Sequence, residues 1–362
     1  MAYSWKATLT IDYTKCGTAN STDFPVLVSF TNADFKTVAN GGKVQNASGF
    51  DIAFYSDAAL TTPVFWLIER YIPTTGECIF KCKIATLSAS ANTLFYVAFG
   101  DASIATFQST STSVWDSNFK GVWALSDGTT LSATDSTIVA STAAITAATA
   151  IAGKIDGGAS FNGTSAKINV TPAAGLDFSG AGSISIETWC KAASLPATQI
   201  LVSKMHTTND QIAYLLYFTS TGKVGFQTTS GATAHQWQTT ATPIAVGNYY
   251  HIVLTYTWDA TTGGASIKCY IDSTSTAGTW TIGTGNVTFT NNNKNIFFAQ
   301  LDYAGLPLPL NGELDEIRIS NTTRSQSWVT ASYNNQNVPS TFMTMGTVTA
   351  IVNNQSQFFA FF

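Results

Sequence analysis

The sequence predicts an all-β protein made of two β-sandwich domains. Only 10% of its 362 residues are charged, whereas 45% are hydrophobic, and 23 Phe, 13 Tyr and 9 Trp supply ample apolar surface for folded cores. Short alternating or continuous apolar runs recur between turns, as in residues 8–13, 25–30 and 94–99. A chain of this length is long enough for two domains, each with its own core.

Charge and hydropathy exclude two classes of partner. The net charge of −4 provides no basic surface for a nucleic-acid backbone, so we expect no nucleic-acid binding. Residues 1–6 run directly into a strand pattern without the basic and apolar regions of a secretory signal. No apolar run approaches the roughly 18 residues that a membrane span requires. We therefore expect a chain that is made in a cytoplasm and is not inserted in a membrane.

The five cysteines are scattered along the chain. Cys78 and Cys82 lie four residues apart in a strand-like run, which places them roughly 13 Å apart on one face, too far for a mutual disulfide. No Cys-x-x-Cys pair exists and no histidine lies near a cysteine in the sequence, so we expect no zinc site. The thiols are expected to be reduced and buried, with a bridge from Cys16 to Cys78 or Cys82 left open.

The first hundred residues contain a moderately specific set of motifs. The set consists of Trp5, residues 24–28, residues 49–54, Glu69 and the closing run at 96–101. It resembles an uncharacterised β-domain that often precedes laminin-G-like modules in microbial surface proteins and phage tail proteins. The resemblance implies an N-terminal β-sandwich domain over residues 1–116.

A second, ordered series of motifs follows a Ser/Thr-rich link at residues 109–113. The series runs through residues 121–127, 157–164, 184–191, 250–256, 267–272 and 311–319. It resembles the successive strands of laminin-G-like, concanavalin A-like (pentraxin-type) jelly-roll domains. The resemblance implies such a domain over residues 117–335.

Two segments of this second domain carry separate predictions. The Ala/Thr/Ser-rich stretch at 129–152 lacks a stable apolar stripe of helical period, so it is predicted to be an irregular loop. Residues 323–333 resemble the short terminal helix of the family, and Ser325 is its predicted N-cap.

The acidic segment at 313–316 is a candidate catalytic site. Concanavalin A-like glucanases carry a motif in which carboxylates alternate on one strand face, and retaining hydrolysis needs two of them about 5 Å apart. Glu313 and Asp315 share a face, but the next position on that face is Ile317, and alternation directs Glu316 the other way. We therefore predict no catalytic residues and no enzyme activity.

Asp315 has two interpretations. Strand alternation places it on one face with Ile317 and Ile319, where a carboxylate needs a partner. The resemblance to laminin-G-like domains implies that Asp315 helps to bind a structural Ca²⁺. The alternative is a carboxylate that accepts hydrogen bonds from backbone N–H groups alone. Asn162 and Ala166 stand where the family often has acidic residues, which weakens the calcium interpretation.

The run at 235–238 is a candidate glycan-binding site. Glycan sites on sandwiches combine exposed aromatic rings with amide groups, and this run offers Trp237 and His235 between two glutamines. The alternative is that Trp237 only covers the sheet.

Residues 336–362 lie outside the resemblance and are predicted to form a C-terminal assembly tail. The tail has one more extended segment at 342–352 and ends in a cluster of aromatic residues, namely Phe358, Phe359, Phe361 and Phe362. Four exposed phenylalanines would favour aggregation, so we expect them to dock on a neighbouring subunit or on a larger particle. The alternative is that they fold back over the junction between the two domains.

The sequence thus predicts a non-catalytic surface protein of a bacteriophage virion, as a head decoration, a fibre or a tail-fibre adhesin. The expected partners are other virion proteins and further copies of this chain, with binding of a host-surface glycan left open. An alternative is a carbohydrate-binding module of a microbial cell-surface or secreted protein. A third hypothesis is a polysaccharide hydrolase, but this function requires a pair of catalytic carboxylates that the sequence does not supply.

Overall fold

The computed structural model divides the chain into two compact units. Unit 1 comprises Met1–Trp115 and Asn334–Phe362, and unit 2 comprises Asp116–Tyr333. The first boundary falls one residue before the predicted one. The structure describes residues 3–125, 129–171, 174–176, 178, 182–205, 212–230, 233–259, 264–284, 294–301 and 305–352.

Unit 1 begins with two antiparallel sheets that face each other. Its first strands are β1 (Trp5–Ile11), β2 (Ser21–Thr31), β3 (Ala53–Tyr55), β4 (Trp66–Ile72), β5 (Glu77–Leu87) and β6 (Thr93–Phe99). Sheet I contains β1, β6 and β3 in that order, and sheet II has the order β2-β5-β4. Phe54 of sheet I packs on Phe80 of sheet II with 5.2 Å between ring centroids, which marks the core of the sandwich. Pro25 lies in β2 at the edge of sheet II, where its missing N–H costs no ladder hydrogen bond.

All five cysteines are buried and free. Cys78 and Cys82 lie on β5, as the strand pattern predicts, and no bridge joins either of them to Cys16. Burial raises the pKa of the Cys16 thiol to about 12, with a smaller contribution from the charge of Asp12. The thiols are therefore protonated core groups, and the disulfide left open by the sequence is not formed.

Unit 2 is a sandwich of two larger antiparallel sheets. Sheet III has the order β19-β18-β17-β12-β22-β10-β9, with β7 also paired to β22, and sheet IV has the order β20-β16-β15-β14-β13-β21-β11-β8. The strands are β7 (Phe119–Trp123), β8 (Ala143–Thr146), β9 (Thr149–Ala152), β10 (Gly157–Asn162), β11 (Lys167–Val170), β12 (Ser183–Ala192), β13 (Gln199–Met205), β14 (Ile212–Phe218), β15 (Val224–Ser230), β16 (Thr233–Thr239), β17 (Tyr249–Asp259), β18 (Gly264–Ile271), β19 (Thr274–Thr276), β20 (Gly278–Ile282), β21 (Ile296–Phe298) and β22 (Asn311–Ser320).

The core of unit 2 lies between sheets III and IV. Phe226 of β15 stacks on Tyr256 of β17 with 5.9 Å between ring centroids, and Trp123 of β7 meets Phe298 of β21 at 4.9 Å. The all-β class and the jelly-roll sandwich that the sequence predicts are therefore confirmed.

The prediction of an irregular loop at 129–152 is wrong for its second half. Strand β8 pairs with β11 in sheet IV, whereas β9 pairs with β10 in sheet III, so this segment crosses from one sheet to the other. The chain turns at Ala147, which has a φ of 52°. Short β-branched runs on each side of the turn suit strands, although they are too brief to give a clear alternation.

After β22, the described residues form two helices and two short strands. These are α1 (Gln326–Asn337), α2 (Pro339–Phe342), β23 (Met343–Met345) and β24 (Thr349–Ala350). The Ser325 hydroxyl accepts the Trp328 N–H at 3.2 Å, which confirms the predicted cap. None of the helices in the described part of the chain has the length and apolar character needed to cross a membrane.

The predicted separate tail at 336–362 is wrong for residues 336–352. Strands β23 and β24 both pair with β1 and so extend sheet I. Phe342 and Met343 are 0% and 5% exposed, because they complete the core of unit 1 rather than await another molecule. Phe358, Phe359, Phe361 and Phe362 lie outside the described residues.

A buried ionic network holds α1 against the outer face of sheet III. Oε1 of Glu187 accepts from His251 Nε2 at 3.0 Å, from Arg318 Nη1 at 3.2 Å and from the Ser332 hydroxyl of α1 at 2.6 Å. Arg318 Nη2 also donates to Glu316 at 2.7 Å. Burial alone would raise the pKa of Glu187, but the charge of Arg318 and the hydrogen bond from His251 outweigh it and hold the pKa well below its usual range.

We predict that Arg318→Met strongly destabilises unit 2, by about 3–5 kcal/mol, because it leaves two buried carboxylates without their cation. Urea unfolding at neutral pH measures the loss. The matched control is Lys191→Met on the same sheet, whose ion pair with Glu313 is partly exposed and contributes about 1 kcal/mol or less.

Acid should act on the same network. Since the pKa of Glu187 is lowered by folding, the contribution of Glu187 to the free energy of unfolding is complete above the ordinary glutamate pKa of about 4.3 and is lost as the pH falls below that value.

Equal free energies of unfolding for the Arg318→Met and Lys191→Met variants would contradict the role assigned to the network.

Candidate functional site

Strand β16 sends its side chains alternately into the core and out of sheet IV. Trp237 is 4% exposed and belongs to the core between the two sheets. Its ring fits because β20 has a glycine beside it: a Cβ on Gly278 would lie 2.1 Å from Trp237 Cζ2. The Trp237 ring is therefore packed between the two sheets and beside Gly278. This placement agrees with the alternative that Trp237 only covers the sheet.

His235 is also directed away from solvent. It is 7% exposed, its Nδ1 accepts the Thr284 N–H at 3.2 Å, and its ring meets Trp280 edge to face. Burial lowers the pKa of His235, which agrees with an unprotonated Nδ1 that serves as an acceptor. Both aromatic residues of the predicted glycan site are thus buried in the described part of the structure.

The two glutamines of the same run lie on the opposite, outer face of sheet IV. Gln236 Nε2 donates to Gln227 Oε1 of β15 at 3.0 Å, and Gln238 Nε2 donates to the Tyr217 hydroxyl of β14 at 3.3 Å. The Tyr217 ring lies over Gly225, where a Cβ would be 2.2 Å from Tyr217 Cζ. Three adjacent strands thus contribute a row of carboxamides and one hydroxyl to a single face.

These groups line a cavity of about 480 Å³ on the outer face of sheet IV, which we call the amide cavity. Its volume falls within the range of small-molecule sites, roughly 300–1,000 Å³. The lining residues are Thr198, Ile200, Met205, Ile212, Leu215, Tyr217, Gln227, Ala234, Gln236, Gln238, Leu301, Leu306 and Leu308.

The amide cavity combines an apolar base with polar groups near its mouth. Its base is a small cluster of buried side chains that includes Ile200, Met205 and Leu215. The carboxamides of Gln227, Gln236 and Gln238 are half-buried, so they remain within reach of a ligand. None of the described residues that line the cavity is charged. The cavity therefore suits an uncharged molecule that has both hydroxyl groups and apolar surface.

The acidic segment on β22 is interrupted by a β-bulge. In the pairing with β12, Glu187 faces Arg318 whereas Trp189 faces Asp315, so β22 has one extra residue between these pairs. Glu316, with a φ of 52°, lies in this interval. The prediction that Ile317 and Ile319 share a face with Asp315 is wrong, because the bulge returns both isoleucines to the core.

Each carboxylate of this segment has a protein partner. Glu313 pairs with Lys191 at 2.6 Å and accepts a short hydrogen bond from the Tyr249 hydroxyl. Glu316 pairs with Arg318 in the buried network. These acids lie on sheet III, apart from the lining of the amide cavity on sheet IV.

Asp315 is fully buried and secures a backbone turn. Its Oδ2 accepts the Ile155 N–H at 2.8 Å, in the turn between β9 and β10. A Cβ on Gly153 would lie 2.7 Å from this oxygen, so the glycine permits the close approach. This geometry matches the backbone-bonded alternative for Asp315.

The calcium interpretation of Asp315 stays a prediction. Calcium needs six to eight oxygen ligands, and the contact to Ile155 is an N–H donor. Within the described ranges, no three His, Cys, Asp or Glu side chains are grouped so that they could hold a metal ion.

Comparisons with known proteins identify the fold of unit 2. Residues 161–330 match the model of a family described as the concanavalin A-like lectin/glucanases superfamily. Unit 2 is therefore a laminin-G-like, concanavalin A-like jelly roll. No curated protein sequence matches the chain.

Several solved structures are similar to this chain at low identity. The binding domain of Paraclostridial mosquitocidal protein 1 is 15% identical with a TM-score of 0.48, over 60% of this chain and 52% of that one. The binding domain of botulinum neurotoxin serotype G is 12% identical with a TM-score of 0.46, over 60% and 51%. The chain thus spans about half the length of these two toxin domains. The CBM40 domain of the Ruminococcus gnavus IT-sialidase, bound to α2,3-sialyllactose, is 16% identical with a TM-score of 0.35, over 42% and 84%.

We predict that Asp315→Ala lowers the free energy of unfolding by about 1–3 kcal/mol, because a buried N–H loses its acceptor. The loss should be the same in calcium and in a chelator, and the wild-type melting temperature should respond to neither. Glu313→Gln, two residues away on β22, is the control and should cost about 1 kcal/mol or less. A wild-type midpoint that rises with calcium, and no longer does so in the Asp315 variant, would support the calcium interpretation.

Proposed function

We propose that unit 2 is a glycan-binding module that holds an uncharged sugar in the amide cavity. The observation that carries this proposal is the row formed by Gln227, Gln236 and Gln238 above an apolar base. A carboxamide offers both a donor and an acceptor, which suits the hydroxyl groups of a sugar. The match to a superfamily described by lectins and glucanases supports the proposal.

The uncharged character of the described lining residues selects among glycans. A sugar carboxylate or sulfate would lose water on entering the cavity and gain no cation from the described lining residues. A neutral hexose or N-acetylhexosamine loses less and can exchange its water contacts for amide hydrogen bonds. We therefore expect neutral glycans to bind in preference to sialylated or uronic-acid glycans.

We further propose that binding is not followed by cleavage. A retaining glycosidase needs two carboxylates that flank the bond to be broken. The lining residues that the structure describes supply amides, one phenol and the Thr198 hydroxyl instead, and burial raises the pKa of Tyr217 despite its hydrogen bond from Gln238. Glu313, the acid singled out by the sequence, is engaged with Lys191 on the other sheet.

The wider setting that we propose is the surface of a bacteriophage virion, as a head decoration, a fibre or a tail-fibre adhesin. The support is the order of the two domains, whose motifs resemble those of phage tail and microbial surface proteins. The alternative is a carbohydrate-binding module of a microbial cell-surface or secreted protein. Labelling of particles with an antibody to this chain, viewed by negative-stain microscopy, tests the virion setting, and unlabelled particles would overturn it.

We predict that Gln236→Ala and Gln238→Ala each weaken glycan binding about tenfold, the effect of one lost hydrogen bond of about 1.4 kcal/mol. A glycan array with neutral and acidic members identifies the ligands, and calorimetry on the best neutral glycan gives the affinities. Gln326→Ala, on α1 of the same domain, is the matched control and should leave binding unchanged.

Three results would contradict the proposed function. They are an array without neutral ligands, variants of Gln236 and Gln238 that bind as tightly as the wild type, and release of sugar from any bound glycan.

A further inference from the structure

A second cavity adjoins the amide cavity on unit 2. It measures about 360 Å³, and we call it the loop cavity because loop residues form most of its walls. Thr198, Leu306 and Leu308 line both cavities, so they form a common wall. The remaining lining residues of the loop cavity are Asn162, Gly163, Ser194, Pro196, Ala197, Gln199, Pro307, Pro309 and Asn311.

The common wall is held in place by backbone hydrogen bonds. The Leu301 N–H donates to the Pro307 carbonyl at 2.8 Å, and the Ile200 N–H donates to the Leu308 carbonyl at 3.0 Å. The alternating prolines of residues 306–310 restrict the backbone further. Leu306 is 50% exposed, so its side chain lies on the rim between the cavities. The two cavities therefore have a fixed separation.

The polar groups of the loop cavity are also pre-arranged. Asn311 Nδ2 donates to the Ser194 hydroxyl at 2.8 Å, and the Asn311 N–H donates to Gln199 Oε1 at 3.0 Å. Asn162 Oδ1 accepts the backbone N–H of Thr164 at 2.9 Å, which fixes this amide at the end of β10. Groups that are already positioned lose little conformational entropy when a ligand binds.

The loop cavity repeats the chemistry of the amide cavity. Its described lining contains amides, two hydroxyls and apolar side chains, and it contains no charged side chain. Two neighbouring cavities whose described linings are both uncharged suit a ligand that repeats its own chemistry along its length.

From this arrangement we infer that unit 2 recognises a neutral oligosaccharide, with one sugar in the amide cavity and a following sugar in the loop cavity across Leu306. This inference rests on the proposed function. It adds that the affinity depends on the length of the oligosaccharide. A single sugar fills the amide cavity alone, whereas a longer oligosaccharide also gains the contacts of the loop cavity.

The test compares sugar ladders of one to five units, made of neutral hexoses or of N-acetylhexosamines, by calorimetry. We expect the best pentasaccharide to bind at least tenfold more tightly than its own monosaccharide. Two filling variants separate the cavities. Ala197→Trp, at an exposed position of the loop cavity, should abolish the gain with length and leave monosaccharide binding unchanged. Ala234→Trp, on β16 in the amide cavity, should abolish binding of every member.

Side-chain amide resonances provide a measurement that requires no variant. The Asn162 and Asn311 amides should shift with the pentasaccharide and remain unchanged with the monosaccharide. Equal affinity for every member of the ladder, together with an Ala197→Trp variant that binds each member as tightly as the wild type, would overturn the inference. Binding of a single sugar in the amide cavity would then remain as the proposed function. No binding by any member would overturn the proposed function itself, and the inference with it.

Discussion

Each strand of sheet IV directs one face to the core and the other to the outer side of the sheet, because successive side chains point in opposite directions. In β16 this constraint commits Trp237 to the core, where Gly278 leaves room for its ring. The same step places Gln236 and Gln238 on the outer face, beside the amide of Gln227. The amide cavity is thus the outer counterpart of a packed aromatic core, and its position depends on that packing.

In sheet III, a single extra residue in β22 changes which side chains face the core, because it interrupts the alternation of side chains along the strand. The bulge at Glu316 lets β22 present Asp315 outward and still return Ile317 to the core. It also brings Glu316 beside Arg318 in the network that holds α1. The acids of this strand are consequently used for the stability of the fold, while the described lining residues of the amide cavity on the other sheet carry no charge.

Much of this arrangement follows from the sequence. The strand motifs of unit 2 and the Ser325 cap were predictable, because hydrophobic period and capping chemistry are local properties. The bulge was not, since it is defined by the pairing of β22 with β12, a strand that is distant in the sequence. The sequence singled out residues 235–238 as a candidate glycan site, which stays a prediction. Strand alternation, applied from Trp237 as a core residue, places the two glutamines of this run on the outer face. Tyr217 and Gln227 join them through pairing over a distance, which the sequence does not show.

We propose that the outer face of sheet IV, and not the aromatic face of β16, contacts the ligand. NMR of the side-chain N–H signals during titration with the best neutral glycan from the array tests this most directly. We expect the amide signals of Gln227, Gln236 and Gln238 to shift together with the occupancy of the site, while the indole N–H signal of Trp237 does not. A shift of the Trp237 indole with silent glutamine amides would contradict it.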